Sequence, residues 1–196
     1  MPFIPPVTKA LMLLCVGLFC LFSLARIELA PLKNALALWP LNTGLFNFWQ
    51  PFTYAFLHGD SLHLFFNMLG LWMFGAELET VWGGKRYAQL LAASALTGAA
   101  AQLVFTLIMG TSAPTVGISG ALFGLLLSYG LMFPDRVIMP LFPPIPMKAK
   151  VFVAIFGALE LLLGISGATG IAHFAHLGGM LGAWLMYNYW RGGRRR

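Results

Sequence analysis

The stretch TVGISGALFGLLLSYGLMFP, residues 115–134, decides how this chain folds. From Ser119 to Phe133 it is apolar and rich in small residues, which is typical of a helix packed inside a membrane. Pro134 cannot continue that helix. At a rise of about 1.5 Å per residue, the roughly fifteen residues before it cannot cross a hydrocarbon core of about 30 Å. We therefore expect the helix to begin below the outer membrane surface, where non-helical backbone must line a water-filled cavity or be buried in protein.

The composition of the whole chain agrees with a membrane location. Of its 196 residues, 59% are hydrophobic and 9% are charged, whereas a soluble domain carries about 25% charged residues. The net charge of +6 does not indicate a nucleic-acid partner, because the basic residues stand in short clusters between apolar runs. Such clusters favour contact with anionic lipids. Cys15 and Cys20 lie in one apolar run and predict neither a disulfide framework nor a zinc pair.

Six apolar segments are candidates for transmembrane helices. They cover about residues 8–29, 61–78, 86–109, 119–133, 148–165 and 171–190, and Gly- or Pro-rich turns separate most of them. The stretch 31–60 is long, aromatic and nearly uncharged, which indicates an ordered element in the headgroup region. The predicted fold class is an all-α polytopic membrane protein, with one domain over residues 1–196 and six transmembrane helices.

The basic residues predict the orientation of these helices. If the N-terminus is cytoplasmic, six spans leave both termini inside, with two basic residues, Arg26 and Lys33, on the outside. Ten lie inside: Lys9, Lys85, Arg86, Arg136, Lys148, Lys150, Arg191, Arg194, Arg195 and Arg196. The positive-inside rule selects this topology. The first apolar run is too long for a cleaved signal peptide, so we expect a retained first span. The short N-terminus without a transit peptide favours a bacterial inner (plasma) membrane.

Ser119 is placed by this topology at the sunken N-terminus of the fourth helix, between Gly117 and Gly120. The N–H groups at a helix N-terminus are unpaired and carry partial positive charge, so they can stabilise an oxyanion. The neighbouring glycines let a substrate backbone approach closely. The pattern G-x-S-G is weak by itself, because an N-cap serine with packing glycines has the same sequence.

His176 is a candidate base for this serine. It lies in AHLGGMLGA, residues 175–183, where small residues recur at spacings that allow close helix packing. A helix packed against Gly120 and Gly124 would bring His176 within hydrogen-bond reach of Ser119, and a serine needs such a base to attack a carbonyl. The alternative is a buried histidine bonded to a neighbouring carbonyl group.

His63 and Asn67 are four residues apart at the start of the second span, so they share a helix face. Both side chains can donate hydrogen bonds, which suits an oxyanion hole. Polar contacts that hold two membrane helices together are the alternative.

Three motifs, HLFFN (63–67), GISG (117–120) and AHLGG (175–179), resemble those of the rhomboid family of intramembrane serine proteases. They stand in the family's order and on the second, fourth and sixth predicted spans. The resemblance covers about residues 8–190, and His58 and the pair Glu79 and Gly83 also fit the family pattern.

The resemblance implies a role for each residue. Ser119 would be the nucleophile and His176 the general base of a dyad without an acidic third member. His63, Asn67 and the Ser119 N–H would hold the oxyanion, with Gly117 beside them. No metal or cofactor is implied. The substrates would be transmembrane proteins cut near the outer leaflet, with the fifth span and the loop after it gating their access.

The chain departs from the family pattern at two positions. Trp49 is followed by Gln50, where many members carry arginine, and Val81 also stands where many carry arginine. Two further residues, Glu160 on the fifth span and His173 three before His176, have no assigned role.

Two other classes of function fit parts of the sequence. A non-catalytic rhomboid-like protein could bind transmembrane clients, but the presence of both Ser119 and His176 favours catalysis. A metal or haem protein could use the four histidines, which are His58, His63, His173 and His176. The zinc-protease motif H-E-x-x-H does not occur. A transporter is disfavoured because no internal repeat is visible.

Overall fold

The computed structural model describes residues 4–141, 144–166 and 172–193 and is mostly helical over them. Three sequence predictions lie wholly or partly outside the described residues. These are the short fifth connection, which includes 167–170, the start of the sixth span at Ile171, and the terminal group Arg194, Arg195 and Arg196.

Within the described residues, helices overlap all six predicted segments, with ends that differ from the predicted ones by up to five residues. In chain order they are α1 (Pro6–Leu24), α2 (Ala30–Leu36), α3 (Gln50–Thr53), α4 (Ser61–Gly70), α5 (Ala76–Trp82), α6 (Gly84–Met109), α7 (Ser119–Met132), α8 (Ala149–Ser166) and α9 (His173–Gly193). A π-helical turn, Leu71–Gly75, joins α4 to α5 without a break in the helix. Short 3₁₀ turns occupy Leu41–Thr43 and Tyr54–Phe56.

Within the described part of the chain, α1, α6 and α8 are each long and apolar enough to cross a membrane, and α7 is a shorter apolar helix. Apolar side chains stand exposed on these helices or at their ends, among them Leu24, Ile108 and Ile165 at 88%, 75% and 69% exposure. A water-soluble protein rarely exposes so much apolar surface. The chain is therefore a membrane protein with at least three to four apolar helices of the six predicted.

α7 packs against both α6 and α9, which also pack against each other. Eight of its fourteen residues are buried, and fourteen helical residues span about 21 Å. The helix begins at Ser119, two residues after Gly117, whose φ of 118° strongly favours glycine. The short length predicted for this helix is confirmed.

The start of α7 is held by main-chain hydrogen bonds from the 31–60 stretch. Leu38 and Thr115 exchange a pair of N–H···O bonds at 3.0 and 2.9 Å, and the Gly117 N–H donates to the Tyr54 carbonyl at 3.0 Å. The Tyr54 hydroxyl donates to the Ala95 carbonyl of α6 at 2.7 Å. This stretch therefore fixes the first residues of α7 against α6.

Gln50 anchors the same stretch, although it stands where many family members carry arginine. Its side chain is fully buried. The Gln50 Oε1 atom accepts from the Trp39 N–H at 3.1 Å, and its Nε2 donates to the Leu45 carbonyl at 3.0 Å. A neutral amide makes these two bonds without bringing a charge into the fold.

The all-α prediction is incomplete in the connection between α7 and α8. Two short strands, β1 (Val137–Ile138) and β2 (Met147–Lys148), pair antiparallel there. Next to them, Asp135 accepts hydrogen bonds from Lys150 and Lys148 at 2.9 and 3.0 Å, and these two bonds hold the pKa of the Asp135 carboxyl below its usual value. Two residues per strand give no alternating pattern that a sequence could reveal.

Candidate active site

Ser119 and His176 meet across the interface between α7 and α9. The Ser119 hydroxyl oxygen lies 2.8 Å from His176 Nε2, although the residues are 57 positions apart in the sequence. His176 is 7% exposed, and Ser119 is half-buried as the first residue of α7.

Glycines make this approach possible. A Cβ atom on Gly179 would collide with the main-chain oxygen of Gly120, and one on Gly120 would lie 3.0 Å from the Ala175 carbonyl oxygen. Only hydrogen atoms at these positions let two helix backbones come so close. The small residues around His176 therefore have the packing partner that the sequence indicated.

The imidazole of His176 is fixed on two further sides. The Phe123 ring stacks on it with centroids 4.3 Å apart and an interplanar angle of 8°. On its other edge, His176 Nδ1 lies 2.8 Å from Glu160 Oε2, and His173 Nδ1 lies 2.6 Å from the same oxygen. Sequence reasoning missed Phe123 and left Glu160 without a role.

A signal for Glu160 was present in the sequence. It is the one acidic residue in the apolar segment 148–165. An ionisable side chain in such a segment is costly unless it has a partner. The partner could not be identified, because it lies on the next helix.

His63, Asn67 and Gly117 come together beside Ser119. A Cβ atom on Gly117 would lie 2.6 Å from His63 Nε2 and 3.7 Å from Asn67 Nδ2. Asn67 is 3% exposed, and within the described residues its Nδ2 donor has no hydrogen-bond acceptor. A buried donor without a partner costs about 1–3 kcal/mol, so this NH₂ group is available to an acceptor that enters the site.

His58 packs against the ring of His63. It is 1% exposed, and its ring meets the His63 ring edge to face with centroids 5.2 Å apart. Burial, with the nearby charge of a protonated His63 as the second cause, lowers the pKa of His58 to about 4. His58 is therefore neutral at pH 7. At the start of α4, Asp60 caps the helix by accepting from the His63 N–H at 2.8 Å.

The four histidines do not form one ligand set. In the described part of the chain, the side chains whose potential ligand atoms gather are Glu160, His173 and His176, all within 4.8 Å of one another. Tetrahedral zinc holds its ligand atoms about 3.3 Å apart, given bonds of about 2.0–2.1 Å. The observed separations of 2.6 and 2.8 Å are those of hydrogen bonds.

The arrangement as a whole has the parts that nucleophilic catalysis needs. A hydroxyl lies at a helix N-terminus next to an imidazole nitrogen, and His63 and the unpaired Asn67 Nδ2 lie beside the nearby Gly117. Such a site can take a proton from the hydroxyl and stabilise negative charge on an attacked carbonyl oxygen.

Comparison with known proteins agrees with the motifs. A family model described as the rhomboid domain matches residues 45–191. "Rhomboid protease GlpG" of Yersinia pestis is 30% identical over 185 residues, which cover 92% of this chain and 61% of that protein. "Rhomboid protein 1, mitochondrial" of Saccharomyces cerevisiae is 36% identical over 99 residues, which cover 50% of this chain and 29% of that protein.

"Rhomboid protease GluP" of Bacillus subtilis is 37% identical over 78 residues, which cover 40% of this chain and 14% of that protein. The chain thus spans less than two thirds of the length of these relatives. Residues 45–191, which the family model matches, include all three motifs quoted from the sequence. Because a rhomboid domain occupies three quarters of the chain and a bacterial relative aligns over almost all of it, this chain belongs to the rhomboid family.

Proposed function

We propose that this chain is an intramembrane serine endopeptidase that uses Ser119 as its nucleophile and His176 as its general base. The observation that carries the proposal is the 2.8 Å separation of Ser119 Oγ and His176 Nε2. Membership of the rhomboid family supports the reaction class, since the bacterial relatives carry the name of proteases.

The mechanism follows from the positions of the donors and the base. His176 Nε2 takes the proton as Ser119 Oγ attacks the carbonyl carbon, and the same proton then goes to the leaving amine. His63, Asn67 and the Ser119 N–H hold the oxyanion, with Gly117 leaving room for the substrate. The unpaired Asn67 Nδ2 supports this role. Water then hydrolyses the acyl-enzyme.

The proposed topology is a single domain over residues 1–196 with six spans and both termini cytoplasmic. Helix α1, the continuous segment α4 to α5, and α6, α7, α8 and α9 would be the spans. The distribution of ten basic residues on one side and two on the other supports this orientation. Because α7 covers about 21 Å, Ser119 would lie below the outer surface of a membrane about 30 Å thick.

The proposed substrates are transmembrane proteins in a bacterial inner membrane, cut near the outer leaflet. A transmembrane helix hides its carbonyl groups in hydrogen bonds, so a substrate must unwind locally before Ser119 can attack. The fifth span, α8, would gate access to the site. By family resemblance, a small residue before the cleaved bond would be favoured.

The test is cleavage of a synthetic single-span substrate by the purified protein. We expect Ser119→Ala and His176→Ala each to lower kcat by about 10⁴-fold or more. Ser128→Ala is the matched control, because Ser128 lies buried on the same helix and is not near His176. A fluorophosphonate probe should label the wild type and Ser128→Ala but not Ser119→Ala.

A non-catalytic protein that binds transmembrane clients is the competing function. It predicts that the wild type binds the substrate in micelles without cleaving it and is not labelled by the probe. Equal cleavage by the wild type and both active-site variants would show that another group does the chemistry.

A further inference from the structure

Glu160 lies in the middle of α8 with its side chain 12% exposed. Burying a carboxylate in an apolar helix costs free energy, and this cost falls when hydrogen-bond donors surround the carboxylate. Here the donors are two imidazoles of α9. The Glu160 Oε2 atom lies 2.8 Å from His176 Nδ1 and 2.6 Å from His173 Nδ1.

These distances favour one tautomer of His176. An ionised carboxylate only accepts hydrogen bonds, so Glu160 stabilises the tautomer that carries its proton on the facing Nδ1. The other nitrogen, Nε2, then presents its lone pair to Ser119 Oγ at 2.8 Å. Without an acceptor at Nδ1, the tautomer with a proton on Nε2 is also accessible, and that tautomer cannot take the serine proton.

We propose that Glu160 is the acidic third member of the site: it fixes the His176 tautomer and stabilises the imidazolium that forms when Ser119 attacks. The proposal rests on the proposed protease function, and it replaces the dyad that family resemblance implies with a Ser–His–Glu arrangement. Glu160 touches no reacting atom, so it is a positioning residue. The three members of this arrangement come from three helices, because Ser119 is on α7, Glu160 on α8 and His176 on α9.

His173 has a definite place in this arrangement. It donates a second hydrogen bond to the oxygen that His176 uses, and both rings hold that oxygen from one helix face. A carboxylate with two donors has less freedom to rotate away from His176 than one with a single donor. We therefore assign to His173 the orientation of Glu160.

The experiment compares Glu160→Gln with wild type and with Glu77→Gln, using the same synthetic single-span substrate. Glu77 is a matched control, because its carboxylate also joins side chains of other segments, Tyr129 at 2.9 Å and Arg136, and lies outside the proposed site. We expect Glu160→Gln to lower kcat by about 10²–10⁴-fold, with KM changed by no more than about twofold. Glu77→Gln should keep the wild-type kcat.

Two further variants grade the effect. Glu160→Asp keeps a carboxylate on a shorter side chain, so its kcat should lie between those of wild type and Glu160→Gln. His173→Phe keeps a ring and removes the second donor, so we expect a loss of about tenfold. If Glu160→Asp and Glu160→Gln lose equal activity and both melt well below wild type, Glu160 only packs the helices and the proposal is overturned.

¹⁵N NMR spectra of the histidine side chains test the proposal without any Glu160 variant. In wild-type protein labelled with ¹⁵N-histidine at pH 8, the resonances of His176 should show a protonated Nδ1 and an unprotonated Nε2. A protonated Nε2 in the resting enzyme would overturn the proposal even if Glu160→Gln fails to fold. Glu160→Gln, where it folds, should show a mixture of both tautomers.

The outcomes separate this inference from the function on which it rests. If Ser119→Ala cleaves as fast as wild type, the protease mechanism itself is wrong. If Ser119→Ala is inactive while Glu160→Gln has the wild-type kcat, only the role of Glu160 is wrong.

Discussion

Glu79 and Glu160 are both helix-borne carboxylates that join two helices, and they differ in the donors they meet. Glu79, on α5, is 3% exposed and accepts from the N–H groups of Val7 and Thr8 at 2.9 and 2.7 Å and from the Thr8 hydroxyl at 2.8 Å. Glu160, on α8, accepts from two imidazoles of α9.

The donors determine what each carboxylate can do. The donors to Glu79 belong to the first turn of α1, where unpaired N–H groups and the helix dipole favour a negative charge. Such donors keep their protons, so Glu79 can only hold α1 against α5. The donors to Glu160 can gain or exchange protons, and one of them continues to Ser119. The same residue type thus stabilises the fold at one site and serves the proposed chemistry at the other.

The strongest test of this difference between the two carboxylates is a double variant at the Glu160 site. His176→Ala alone should lower kcat by about 10⁴–10⁶-fold. If Glu160 acts only through His176, adding Glu160→Gln to His176→Ala should lower kcat by less than about twofold more, because the group that Glu160 positions is already absent. Single-turnover cleavage of the synthetic substrate measures both values.

Glu160→Gln in the wild-type background is the control. This single variant must show the expected loss of kcat, since a small loss in both backgrounds would mean that Glu160 has no role. A further fall of tenfold or more in the double variant would mean that Glu160 acts independently of His176.

The next largest effect should come from Glu79→Gln, and it should appear in stability rather than in rate. An amide at this position keeps one acceptor and turns an NH₂ group toward donors, so we expect the free energy of unfolding to fall by about 3 kcal/mol. The kcat per folded molecule should stay within about twofold of wild type. Denaturant unfolding in micelles and cleavage assays at a permissive temperature measure the two quantities.

Thr8→Val and Glu28→Gln calibrate that result. Thr8→Val removes one of the three donors and should cost about 1 kcal/mol, while Glu28 is exposed and its change to Gln should cost almost nothing. If Glu79→Gln were as stable as Glu28→Gln, the hydrogen bonds to α1 would contribute nothing to the fold.

The two carboxylates also show how far the sequence could be interpreted. The segments themselves were predictable, because their apolar runs and Gly or Pro breaks are local features. The second segment was predicted to end at residue 78, whereas α5 continues to Trp82. Glu79 lies inside this helix, and its carboxylate is satisfied by donors of α1 that are 72 and 71 positions away. No local pattern carries that information.

α1 shows the same limit at its own ends. It was predicted over about 8–29 and runs over Pro6–Leu24. It starts early because proline suits the first helical position, where an N–H would be unpaired. At the site, the approach of Ser119 to His176 could be inferred from small residues on both helices. The bond to Glu160 could not, because it depends on how α8 rotates against α9.

The smallest expected effect is a pH dependence of stability that arises at the proposed active site and not at the Glu79 site. The proposed active site includes His58, whose pKa is lowered to about 4 by burial and by His63. The donors to Glu79 do not titrate near neutrality. In the unfolded chain His58 has a pKa of about 6.5. As the pH falls below about 6.5, the unfolded state therefore takes up a proton that the folded state refuses until about pH 4.

Stability should consequently fall across that window and level off below it. Between pH 7 and pH 5 we expect His58 to contribute a loss of about 2 kcal/mol. His58→Phe keeps a ring of similar size against His63 and removes this titration, so its melting temperature should fall less than that of wild type over the same range. Both proteins contain the other three histidines, so the difference between the two melting curves isolates His58. Equal falls in both proteins would mean that the folded state accepts the proton on His58 as readily as the unfolded chain does.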